Sequence, residues 1–198
     1  MIYRPSAFAK DDRQELESFI RAFPFATVVT TTGTEPWISH VPLRLEGDRL
    51  LGHLARGNGH AKALEGAPTL AVFHGPHAYI SPRWYESGPA VPTWNYMVVH
   101  AAGPARLLSD ADTAALMARL SGDYETQDWS YDALPEDYRG KMQTGIVGFA
   151  LTIERLEGKF KLSQNKGAAD QARVAEALAQ GSPEDQAVAA FMRPEAFR

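Results

Sequence analysis

No cysteine occurs in the 198 residues. That absence removes disulfides, thiolate metal sites, iron–sulfur clusters and cysteine nucleophiles together. No apolar run approaches the ~20 residues that span a bilayer, and Met1 to Lys10 has no apolar core of signal-peptide length. The expectation is a cytoplasmic protein with no membrane partner. A strong charge of one sign is missing too. The net charge of −4 and a pI of about 5.9 argue against a generally basic nucleic-acid binder. His-Glu-x-x-His, Gly-x-Ser-x-Gly, the Walker loop and the Rossmann fingerprint are all absent.

What remains is an ordinary globular composition, 44% hydrophobic and 22% charged. It suits one domain over residues 1–198, with a helical extension from about residue 170. Asp12 with Glu15 predicts a capping box, and Leu16, Phe19, Ile20 and Phe23 form a helical apolar stripe that Pro24 ends. Phe25–Thr32, Trp37–Leu45 and Arg49–Ala55 read as strands, the last two joined by a turn at Glu46-Gly47-Asp48. A short helix at His60–Leu64 leads to a strand at Leu70–Phe73. From His74 to Trp94 four prolines predict a long ordered loop or an irregular hairpin, since proline is foreign to central strands. Strand resumes from Asn95 to about Leu108, and Asp110 caps a helix carrying Leu116, Met117 and Leu120. Asp123–Tyr138 reads as irregular. Ile146–Leu156 reads as one half-buried strand, from the alternation of Val147, Phe149, Leu151 and Ile153. A short strand or turn at Lys159–Asn165 and helices at Asp170–Gln180 and Glu184–Met192 complete the chain. The fold class expected is mainly β with α, an antiparallel barrel with flanking helices.

Three stretches could carry chemistry. Gly52 to His60 runs from a strand through a glycine-flexible turn into a helix start, a setting that favours a phosphate. Arg56 would add a charged contact, Asn58 a neutral donor, and His60 or Lys62 further positive charge. An ordinary polar strand-to-helix turn is the other reading. Tyr79, Trp84, Tyr85, Trp94 and Tyr96 form either a core layer or a platform for a flat ligand. Lys161 to Lys166 packs donors into six residues that suit ribityl hydroxyls, or make a polar turn. From Arg139 to Arg173, seven basic residues face three acids, a local positive field for an anion or a solvated surface. His74 and His77 are split by Gly75-Pro76 with no acid nearby in sequence, so no metal site is expected.

Several longer runs make the sequence recognisable. They include Ser39-His40-Val41-Pro42-Leu43, Gly52-His53-Leu54-Ala55-Arg56 with Asn58 and His60, and Phe73-His74-Gly75-Pro76-His77-Ala78-Tyr79-Ile80-Ser81-Pro82. Val91-Pro92-Thr93-Trp94-Asn95-Tyr96 and Lys159-Phe160-Lys161-Leu162-Ser163-Gln164-Asn165 follow. Spread over residues 1–192, they resemble the PaiB-type family, often described as FMN-binding negative transcriptional regulators. The resemblance implies a split-barrel flavoprotein related in fold to pyridoxamine-phosphate oxidases, a homodimer, and FMN as cofactor. Carried over by motif, Arg56, Asn58 and His60 would face the FMN phosphate. Trp94 and Asn95 would lie near the ring or ribityl chain. Lys161, Ser163, Gln164 and Asn165 would close the site, from the same chain or from the second subunit. Ser39 and His40 would face the same region. The family's usual Ala-Asn-Pro-His is here Gly57-Asn58-Gly59-His60, which would loosen the turn. Direct DNA contact has no support, since no helix-turn-helix pattern or basic recognition helix is present. Besides indirect regulation, an FMN-dependent oxidoreductase and a haem or flavin carrier remain open. In the oxidoreductase reading the proline-rich loop lines a substrate pocket, with His74, His77 and Tyr79 as proton donors.

Overall fold

The computed structural model describes residues 2–125 and 129–193. In chain order the elements are β1 (Ala9–Lys10), α1 (Arg13–Ala22), β2 (Phe25–Thr31), β3 (Pro36–Pro42), β4 (Arg44–Glu46), β5 (Arg49–Ala55), α2 (His60–Ala63), β6 (Pro68–Ile80) and β7 (Thr93–Leu107). Then come α3 (Asp110–Tyr124), α4 (Glu136–Gln143), β8 (Ile146–Thr152), β9 (Arg155–Lys161), α5 (Ala168–Ala179) and α6 (Pro183–Phe191). The sheet is mainly antiparallel, with neighbours in the order β3-β2-β6-β7-β8-β5-β4, and β9 pairs with β1 and β7. The chain divides into two compact units. One comprises Met1–Phe23, Phe73–His100 and Leu156–Arg198; the other comprises Pro24–Val72 and Ala101–Arg155.

In the first unit, α1 forms where the sequence predicts. Asp12 caps it, accepting from the Glu15 N–H at 2.8 Å. The box is only half made, because the Glu15 carboxylate accepts from Lys10 Nζ at 2.8 Å instead of turning back. Leu16, Phe19 and Ile20 are buried, and the Phe19 ring packs 5.2 Å from that of Phe160. Glycine is required at position 75, where a Cβ would sit 2.8 Å from the Phe19 ring.

Of the loop and irregular-hairpin readings of His74–Trp94, the long loop is corrected and the hairpin is the nearer, since β6 and β7 are neighbours in the sheet. β6 continues through Pro76 to Ile80, and β7 already begins at Thr93. Buried positions in β6 change parity, from Thr69, Ala71 and Phe73 to Ala78 and Ile80. Such a change is what one extra residue in the ladder, a β-bulge, leaves behind. A bulge is also a place where a strand tolerates proline. Only residues 81–92 are irregular, and they are tied down. Asp170 of α5 accepts from the backbone N–H groups of Glu86 (2.8 Å) and Ser87 (3.3 Å) and from the Ser87 hydroxyl. Arg173 donates to Trp84 O at 3.1 Å and pairs with Glu86 at 2.7 Å.

In the second unit, β2 and β3 form a hairpin in register from Phe25↔Pro42 to Thr31↔Pro36, and β5 pairs with β8 from Arg49↔Thr152 to Ala55↔Ile146. Gly52 lies opposite Phe149 because a Cβ there would meet Leu43 at 2.5 Å. Three further expectations change here. The cap of α3 is Ser109, not Asp110: its hydroxyl accepts from Asp112 N at 3.1 Å. The single strand Ile146–Leu156 is two, because Ile153 N turns to Asp48 O (2.7 Å) and Glu154 N to Ala102 O (3.0 Å), leaving the ladder. Nor is β8 half-buried: Gly148 to Leu151 are buried in succession, Ala150 packing with Leu116 and Leu120 of α3. Asp123–Tyr138 is α-helical only at its ends, in α3 and α4, with a 3-10 turn at Tyr131–Ala133, while Thr126–Asp128 lie outside the described residues.

Candidate cofactor site

The predicted ligand residues fall into two groups, one in each unit. In the second unit, Arg56, Asn58 and His60 follow β5. The Arg56 guanidinium is already engaged, donating through Nε to Thr144 O (2.8 Å) and through Nη2 to Ile146 O (2.9 Å) and Asp110 (3.3 Å). Asn58 builds the turn: its Oδ1 accepts from His60 N at 3.0 Å and its Nδ2 donates to Ser39 Oγ at 3.2 Å. His60 is fully buried, with Nδ1 2.9 Å from Ser39 Oγ. Burial holds its pKa below the ordinary histidine value, so the ring is neutral. Its Nε2 is buried with no hydrogen-bond partner among the described residues. The Trp37 ring stacks on it, with centroids 6.4 Å apart.

Gly59 has a packing reason. A Cβ there would lie 2.8 Å from two atoms of the Trp37 indole, so the residue that departs from the family pattern is the one that admits this ring. Ser39 and His40 do not face the same region. Successive strand residues point to opposite sides; Ser39 turns inward to His60, while exposed His40 bonds Thr27 Oγ1 at 3.1 Å.

The first unit holds the other group around a small cavity of about 160 Å³, lined by Tyr85, Val91, Thr93, Asn95, Lys161, Ser163, Asn165 and Lys166. Alternation along β7 sends Thr93 and Asn95 to this side and the Trp94 indole to the other. Asn95 is fully buried and donates to Ser163 Oγ at 3.0 Å. Ser163 has φ of +66°, an uncommon conformation for a non-glycine residue and one that gathers at functional sites. Gln164 is spent on the turn itself: its amide bridges Phe160 O (2.6 Å) and Leu162 N (2.7 Å). Asn165 stays exposed at the cavity wall.

Lys161 is the electrostatic centre of this group. Its ammonium donates to Trp94 O at 2.6 Å and to the Thr93 hydroxyl, both neutral. It makes no ion pair among the described residues. Desolvation, and then the charge of Lys159, push its pKa below the ordinary lysine value. Lys166 lies 4.7 Å above the Tyr85 ring. A half-buried cation without a carboxylate, a second ammonium and a set of amide and hydroxyl donors fit the anionic, polar end of a flavin nucleotide.

Asp170 escapes the sequence reading as a site residue, and Tyr85 enters it only as one member of the aromatic cluster. The signal for Tyr85 was weak, an aromatic in a proline-rich loop; Asp170 acts across a sequence distance of 84 residues through Glu86, which no local pattern reveals. Among the described residues no group of three or more His, Asp or Glu side chains could hold a metal ion.

The sequence pattern of the family described as "Putative FMN-binding domain" matches residues 2–155. The chain is 35% identical over 185 residues to the Bacillus subtilis "Protease synthase and sporulation protein PAI 2", covering 89% of each. It is 30% identical to an uncharacterised Aspergillus fumigatus protein, over 81% of this chain and 84% of that one. Among solved structures, a flavocytochrome from Azotobacter vinelandii superimposes with a TM-score of 0.70 at 19% identity, covering 86% of this chain and 78% of the other. An FAD- and haem-binding protein from Mycobacterium smegmatis gives 0.63 at 17% identity, covering 88% and 80%. At such identities the likeness shows the fold, a flavoprotein split barrel. With the family pattern over most of its length and a 35% identical relative, the chain belongs to the PaiB-like FMN-binding family.

Proposed function

We propose that the Lys161 cavity receives the phosphate end of FMN. The observation that carries this is the half-buried Lys161 ammonium, held among the described residues by neutral acceptors only. A desolvated cation without a counter-charge is costly, and a phosphate supplies that charge. Asn95, Ser163, Asn165 and Lys166 provide further donors on the same wall. The donors of the Arg56–His60 turn are already bonded within the protein, which favours Lys161 over Arg56 as the phosphate ligand.

Around this cofactor we place a cytoplasmic homodimer that affects transcription indirectly, through the state of its flavin. A second reading, an FMN-dependent oxidoreductase, draws on the exposed His77–Glu184 pair, 3.0 Å apart, as a proton-carrying group.

Titration with FMN and riboflavin, followed by flavin fluorescence quenching, tests the cavity. The expected result is saturation near ~1 FMN per chain, with riboflavin at least about tenfold weaker for want of the phosphate. Equal affinity for both would remove the phosphate from Lys161. Absence of flavin binding would end the reading.

A further inference from the structure

The exposed face of β6 and β7 in the first unit carries side chains that the Lys161 cavity does not use. His74 and His77 are three apart, so in an unbroken strand they would point to opposite sides. The bulge at Gly75–Pro76 brings both to the open side, where both are exposed. Alternation along β7 sends Trp94 and Tyr96 there too. With Met97 and Val98 these residues line an open cavity of about 380 Å³. Trp94 is 52% exposed, and the Tyr79 ring meets it edge-on at 6.0 Å. The His77 ring lies 5.8 Å from the indole.

His77 is held in one tautomer. Its Nδ1 lies 3.0 Å from the Glu184 carboxylate. A carboxylate only accepts, so Nδ1 carries the proton and Nε2 of the neutral ring offers a lone pair. A flat indole and one fixed acceptor therefore share a cavity of the size that small ligands occupy, with the Tyr79 ring edge-on to the indole.

We propose that this face binds a small planar aromatic molecule bearing an O–H or N–H donor, its ring on Trp94 and its donor on Nε2 of His77. Glu184 is the positioning residue. The site is separate from the flavin reading: the Lys161 cavity uses the Trp94 carbonyl, not its ring.

Calorimetric titration with 2-naphthol and 2-methoxynaphthalene tests it, since the rings match and only the first donates. The titrations are run on the protein as purified and again with FMN at saturation. Naphthol should bind about tenfold more tightly than its ether, the effect of one hydrogen bond. His77→Leu should abolish that preference and leave the ether's affinity within about threefold. Trp94→Leu should weaken both compounds, and Glu184→Gln, whose amide oxygen still accepts from Nδ1, should keep the preference. These side chains are exposed, so a thermal melt suffices to show that each variant folds. Equal affinity for the two compounds, or a preference that survives His77→Leu, overturns the proposal. No binding, as when a second copy of the chain covers the face, overturns it as well. So does binding that FMN displaces, which would return this face to the flavin. If FMN itself fails to bind, the naphthol comparison is unaffected.

Discussion

The turn that follows β5 and the turn that follows β9 have similar compositions and opposite electrostatics. In the first, nearly every donor is paired within the protein: Arg56 with the Thr144 and Ile146 carbonyls, Asn58 with Ser39 and His60, His60 with Ser39. In the second, Lys161 meets only neutral oxygens, and Asn165 and Lys166 line a cavity. A polar motif therefore says little about ligands until its internal partners are counted. A satisfied network fixes shape, whereas a half-buried cation without a counter-charge is poised for an anion.

The sharpest way to break that contrast is a pair of substitutions read on FMN affinity. Lys161→Gln should weaken FMN about 10- to 100-fold, the effect of a charge-assisted hydrogen bond of roughly 1.5–3 kcal/mol. Arg56→Ala should weaken it less than about threefold while lowering stability by about 1 kcal/mol in urea unfolding, because it frees two carbonyls at a half-exposed position. The reverse order of affinities would restore Arg56 as the phosphate ligand.

Next in size is Gly59→Ala. At a helical φ of −56° this change ordinarily stabilises by about 0.4–1 kcal/mol through the unfolded chain. Here the new Cβ meets the Trp37 ring, so a net loss of about 1–2 kcal/mol is expected in the urea midpoint. A gain would mean that Trp37 moves aside freely.

A smaller effect separates the two turns by pH. Buried His60 has its pKa lowered by desolvation. The unfolded chain takes up a proton near pH ~6.5 that the folded chain refuses, so stability falls as pH drops from there to the folded value. Replacing His60 by Asn should flatten that part of the stability curve, and an unchanged slope would assign it to another group, such as half-buried His53, whose pKa desolvation also lowers.

The smallest change at neutral pH concerns the loop that carries Tyr85. Bonds from the Ser87 hydroxyl first, then from two backbone N–H groups, hold the Asp170 pKa below the ordinary carboxyl value. Its contribution is complete above pH ~4 and is lost as pH falls through the lowered value. Asp170→Asn should be less stable than the parent at pH 7, and the two should converge in acid; a constant gap would refute the linkage.

Local signals in the sequence were sufficient for α1, β5, α5 and α6, whose stripes, caps and turn residues lie within the elements themselves. They failed where the determining contact is distant or two effects compete. Arg56 finds its carbonyl 90 residues away, and Asp170 its loop 84 residues away. Nothing at Ile153–Glu154 resembles a turn, yet their N–H groups leave the ladder for Asp48 and Ala102. Proline in β6 left a loop and an irregular hairpin both open, because a rule about single residues does not foresee a bulge that accommodates them. Of the site, residue types and positions were legible. Which cations lack partners was not, since pairing is a property of the folded arrangement.

The parity change at Gly75–Pro76 also sets a rule for insertions and deletions. Removing one of Gly75 and Pro76 would restore plain alternation with Ala78 and Ile80 still inward, whereas removing both would turn Ala78 and Ile80 outward and drive His77 and Tyr79 into the core. A single deletion there is absorbed by the loss of the extra residue, and a double deletion is not. In this stretch the chain is constrained by length before it is constrained by identity.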